Sequence, residues 1–99
     1  MQLKDIIKPQ PARNYTGIEL ARAFKIALHN LGVDSEVKLR GAIFKKVTEW
    51  HPKAPIHNRL AQAQSLRDDF GRQTLNWKMF CKGAAILNLD TDVMLQVIK

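Results

Sequence analysis

The stretch TLNWKMFCKGAAILNLDTDV, residues 74–93, decides the fold. Laid on a helix over 75–87, its apolar residues do not keep to one stripe. Trp77, Phe80, Cys81, Ala84 and Leu87 take one side, and Leu75, Met79 and Ile86 extend the apolar surface most of the way round. Only Lys78, Lys82 and Ala85 mark a narrow polar edge. A helix that is apolar nearly all round belongs in the middle of a fold. This segment is therefore expected to be the strut on which the other helices pack, capped by Thr74. Gly83 inside it costs about 1 kcal/mol of helix propensity relative to alanine, which points to a neighbouring helix coming close there.

Working outward, the spacing predicts three more helices. The first covers 17–31. Thr16 and Glu19 have the spacing of a capping box, each side chain satisfying the other's free backbone N–H. Leu20, Ala21, Phe24, Ala27, Leu28 and Leu31 share a face, while Glu19, Arg22, Lys25, His29 and Asn30 face water. Gly32 suits the stop, because it enters the left-handed region without a Cβ clash. The second helix covers 36–50, with Asp34 or Ser35 as its cap. Val37, Leu39, Ile43, Phe44, Val47 and Trp50 line one arc; Lys38, Lys45, Lys46, Thr48 and Glu49 line the other, and Arg40 falls inside the apolar arc. HPKAPIH, residues 51–57, carries two prolines and reads as a loop. A third helix over 58–72 has Leu60, Ala63, Leu66 and Phe70 at heptad-like spacing. Residues 1–14 read as a basic arm or short helix, with Leu3, Ile6 and Ile7 to dock it, Lys4, Lys8 and Arg13 to charge it, and Pro9 and Pro11 to break it. The tail, 89–99, fits a short helix capped by Asp90 or Thr91. Val93, Leu95 and Val97 alternate as a strand would; such a strand needs the arm or a homodimer as its partner. The fold class is mainly α: a compact bundle of four to five short helices in a single domain over 15–99, with a C-terminal strand as the alternative for the tail.

Shifting the chain by 56 positions aligns 24–40 with 80–96. Phe24 meets Phe80, Leu31 meets Leu87, Asp34 meets Asp90, Val37 meets Val93 and Leu39 meets Leu95. Both segments read as a helix, a residue tolerant of positive φ (Gly32, Asn88), an apolar residue, then a cap. An internal repeat is one reading; the likeness of any two helical corners is the other.

Charge separates this chain from an ordinary small domain. Sixteen Lys and Arg against nine Asp and Glu give +7 in 99 residues. Residues 37–59 hold Lys38, Arg40, Lys45, Lys46, Lys53 and Arg59 against one acid, Glu49. Such an excess attracts polyanions, either nucleic acid or an acidic protein face. Leu28, Gly32, Val33 and Val37 sit near the spacings of the DNA-binding helix-turn-helix, and the corner resembles that motif, with two departures: Leu28 stands where a small alanine is usual, and Lys38 where an apolar residue is expected. The resemblance implies that the 36–50 helix enters the major groove with Ser35, Lys38, Lys45 and Lys46 exposed. Lysines would then hold phosphates, and Arg40 would be the better base reader, because its fork bonds guanine bidentately. The candidate nucleic-acid-binding residues are Ser35, Lys38, Arg40, Lys45, Lys46, Lys53 and Arg59.

Other chemistry finds little support. No apolar run approaches the roughly 18–20 residues of a membrane span, and 1–10 lacks the long apolar core of a secretion signal. Cys81 alone forms no internal disulfide; on an apolar helix side it reads as a buried packing residue, in keeping with a cytoplasmic setting. His29, His51 and His57 lack the further ligands a zinc site needs. Asp68 and Asp69 are adjacent, so they point in different directions on a helix. Trp50 and Trp77 belong to apolar faces, while Tyr15, beside Arg13 and a helix cap, is a better base-stacking candidate than Phe44. The expectation is a non-enzymatic nucleic-acid-binding protein without cofactor or metal, DNA before RNA, and on size, charge and class a small regulator of the kind phages and plasmids encode. The alternative is an adaptor or inhibitor that docks a basic face on an acidic partner protein.

Overall fold

The computed structural model describes residues 7–10 and 14–98. Five α-helices follow one another: α1 (Gly17–Asn30), α2 (Glu36–Trp50), α3 (Ile56–Phe70), α4 (Trp77–Leu87) and α5 (Thr91–Leu95), which runs into a 3-10 turn over Gln96–Ile98. Among the described residues there is no strand, so Val93, Leu95 and Val97 do not alternate across a sheet. Asp90 caps α5 instead, accepting from the Asp92 N–H at 2.9 Å. The docking expected of Leu3 and Ile6, and the cations Lys4 and Arg13, lie outside the described residues.

α4 is the strut. It touches α1, α2, α3 and α5, and Phe80, Cys81, Gly83, Ala84, Ile86 and Leu87 are all buried. Its start differs from the expected one. Asn76, not Thr74, caps it, with Oδ1 accepting from the Met79 N–H at 2.8 Å. Leu75 lies before the helix, where it is buried and donates its N–H to the Gly17 carbonyl at 3.1 Å. That bond ties the α3–α4 connection to the first turn of α1. A Cβ on Gly17 would sit 3.0 Å from the Thr74 Cβ, so glycine permits the approach.

The other helix ends follow from local chemistry. The Thr16–Glu19 capping box is formed, at 3.1 and 3.0 Å. α3 starts two residues earlier than the spacing predicts, because Pro55 has φ −57° and its carbonyl accepts from the Asn58 and Arg59 N–H groups. Proline fits this N-cap position, because the backbone N–H it lacks has no partner in the helix ladder. Gly32 (φ 75°) and Asn88 (φ 57°) both turn left-handed. Val33 N–H bonds the Leu28 carbonyl and Leu89 N–H the Ala84 carbonyl, each at 2.9 Å. These bonds lie 56 positions apart, so the two aligned corners are the same helix-ending motif. That motif closes roughly a third to a half of helices, and the chain diverges afterwards, into 15 helical residues in α2 and five in α5.

α1 packs mainly on α4 and α2 mainly on α3, while α1 and α2 hardly touch. The molecule measures 40 × 28 × 19 Å. Its shortest dimension is about two helix diameters, at roughly 10 Å each, so an outer helix finds cover on one side only. Three residues read as apolar-face positions are therefore exposed: Val37 at 69%, Leu31 at 49% and Leu60 at 48%.

Candidate nucleic-acid interface

The seven candidate residues do not form one surface. Ser35 is the N-cap of α2, its Oγ accepting from the Lys38 N–H at 3.2 Å. Removing it as Ser35→Ala is expected to lower stability by about 1 kcal/mol and to leave polyanion binding at wild-type strength; urea unfolding and a filter-binding titration measure the two. Lys38 pairs with Asp34 at 2.9 Å. The hydrogen bond from Lys38 holds the Asp34 carboxyl below its ordinary pKa. Both side chains are exposed, and an exposed pair of this kind contributes little and is readily exchanged.

Lys46 is a structural cation. Its side chain is only 16% exposed, and Nζ reaches Glu49 Oε2 at 3.1 Å and Asn88 Oδ1 at 2.8 Å. It thus ties α2 to the C-terminal end of α4, where a positive charge is favoured by the helix dipole. Charge reversal as Lys46→Glu sets a carboxylate beside Glu49 and against that end, and is expected to destabilise the fold by about 1–2 kcal/mol. Lys45→Glu, at an exposed side chain without an ion-pair partner among the described residues, is expected to leave the melting temperature unchanged. Equal melting of the two variants would remove Lys46 from this role. Arg59 is likewise occupied: Nη1 donates to Thr48 Oγ1 at 3.1 Å, and the guanidinium lies 5.6 Å from the centre of the Phe44 ring. Cation–π packing of this kind holds the head against the protein.

Arg40, Lys45 and Lys53 are exposed with no carboxylate partner among the described residues. At 100° per residue, Arg40 lies about 140° round α2 from Lys45. Lys38, Gly41 and Lys45 do fall on one line, by their three- and four-residue spacing. A Cβ on Gly41 would meet nothing within 4 Å, so the backbone of α2 is bare between the two lysines. The helix-turn-helix likeness ends at the corner: α2 leans on α3 rather than on α1, and Val37, which should seal the motif, faces solvent.

Other free cations lie elsewhere. Arg22 and Lys25 on α1 and Lys78 on α4 are exposed and have no ion-pair partner among the described residues. Arg22 and Lys25 border a groove of about 410 Å³ that also holds Ile18, Ile26 and His29. Their outward direction is legible from the α1 periodicity, which sets Arg22 and Lys25 opposite its buried face, although they lie outside the 37–59 charge cluster. Cys81 is buried, and burial pushes its thiol pKa up. Among the described residues no three His, Cys, Asp or Glu side chains gather as a metal site, and no helix is long and apolar enough to cross a membrane. Compared with known proteins, the chain matches no family model, no curated protein sequence and no solved structure.

Proposed function

We propose that this chain is a non-enzymatic nucleic-acid-binding protein that works by neutralising phosphates rather than by reading a groove. One observation carries this reading: Arg22, Lys25, Arg40, Lys45, Lys53 and Lys78 are exposed without an ion-pair partner among the described residues of a +7 chain. Cations that no carboxylate neutralises are the ones that gain from replacing the counterions condensed on a nucleic acid. The weak packing of α1 on α2 removes the support that holds a recognition helix in register, so sequence-independent contacts are favoured over base-edge readout. A gel shift of a generic duplex and a generic single strand at low salt tests it; retardation of neither overturns it.

A second reading rests on the α1 groove. Ile18 is 59% exposed there between basic residues, a combination that suits an acidic protein partner with apolar side chains to insert. The same gel shift separates the two, because the adaptor reading predicts no retardation of nucleic acid.

A further inference from the structure

A cleft of about 380 Å³ opens between the start of α1 and the start of α4. Its size falls in the roughly 300–1,000 Å³ range of small-molecule sites. The half-buried rings of Tyr15 and Trp77 line it, and the buried Leu20 and Leu75 side chains lie beneath. Its polar groups are the carboxamides of Gln10, Asn14 and Asn76 and the hydroxyls of Tyr15 and Thr74, and no Lys, Arg, Asp or Glu appears among its described lining residues. None of the described lining residues offers a phosphate or carboxylate a counter-charge. A flat, uncharged ring with hydrogen-bonding edges meets aromatic surface and amides together.

Trp77 is held before any ligand arrives. Its Nε1–H donates to the Lys8 carbonyl at 2.6 Å, and its ring stacks on Phe80 at 5.6 Å between centroids with 27° between planes. An aromatic cleft with amide edges matches the base of a nucleotide unit.

We infer that the Tyr15–Trp77 cleft takes an unstacked base of a single-stranded nucleic acid. This rests on the phosphate-binding reading above and narrows its substrate class to single strands, whose bases are free to leave the stack and lie on aromatic side chains. Paired bases in a duplex are not available to it.

The test uses the full chain carrying Trp50→Phe, so that Trp77 is the sole tryptophan. It compares an oligothymidine strand with an abasic strand of equal length at low salt. The two strands share their phosphates and differ only in bases. Tighter binding of oligothymidine, on the order of ten-fold, with quenching of Trp77 emission by oligothymidine alone, is the expected result. Tyr15→Leu should then bring the two strands to equal affinity. Equal affinity in the unaltered cleft, with Trp77 emission unchanged, overturns the cleft and leaves phosphate binding standing. A base preference that survives Tyr15→Leu and leaves Trp77 emission unchanged overturns the cleft as its seat. Binding of neither strand overturns the phosphate reading itself.

Discussion

Replacing Gly83 by alanine is expected to destabilise the protein by about 1–3 kcal/mol, although the same change raises intrinsic helix propensity by about 1 kcal/mol. A Cβ at this position would lie 2.5 and 2.9 Å from Cε2 and Cδ2 of Phe24 and 3.3 Å from Cε1 of Phe70. The Phe24 ring cannot swing aside. It is buried and stacked on Phe70 at 4.8 Å with 20° between planes. The added methyl must therefore push α1 or α3 away from α4, and interiors packed like crystals resist such shifts. The cause can be isolated by a double-mutant cycle with Phe24→Leu, which deletes the outer ring atoms nearest the new methyl. In that background the alanine should cost much less, or become stabilising as its helix propensity emerges. Urea unfolding of the four proteins measures the coupling. An alanine variant as stable as the parent, or an equal penalty in both backgrounds, would show that the close approach is not what requires glycine.

That position also shows what the sequence makes legible. A glycine within an otherwise apolar helix pointed to a close neighbour, and the neighbours are two phenylalanines, 59 and 13 positions earlier. Periodicity identified α4 as central because no surface helix can hide apolar residues all round. The Thr16–Glu19 box, Gly32 and Asn88 were legible because they depend on residues within one turn; the Asn76 cap of α4, three residues from Met79, is just as local, but Thr74 two positions earlier competes with it in the sequence. What failed were assignments that depend on the third dimension. Thr74 was a reasonable cap until the Gly17 carbonyl claimed Leu75. Val37 belonged to an apolar arc by spacing, but α1 does not reach it. The same limit governs the candidate interface. Charge density placed the cations correctly in the chain. It gave no sign that Asn88, 42 positions away, would hold Lys46, or that Phe44 would lie under Arg59. The aromatic cleft is legible only in part, since Tyr15 and Trp77 are 62 positions apart and meet through the Leu75–Gly17 bond.

Binding of this protein to a generic nucleic acid should weaken roughly a hundred-fold when salt rises from about 50 to about 200 mM. Each phosphate neutralised on a duplex contributes about −0.9 to the slope of log affinity against log salt. Six exposed cations lack an ion-pair partner among the described residues, but they do not share one side, and Arg40 and Lys45 already diverge on α2. About four contacts at a time is a reasonable count for one strand or groove wall, which gives a slope near −3.6 for duplex and about −2.8 for a single strand. Lys45→Glu should reduce the slope by about one without changing thermal stability, since its exposed side chain has no ion-pair partner among the described residues. Combining Arg40→Glu, Lys45→Glu and Lys53→Glu should abolish most of the salt-sensitive affinity if the α2 side carries binding. If instead Arg22→Glu with Lys25→Glu has that effect, α1 is the contacting surface. Fluorescence anisotropy across a salt series reads all of these. A slope near zero, or unchanged affinity in both the triple and the double variant, would mean that phosphate contacts do not drive association, and the free cations would have to be read as a solubilising surface.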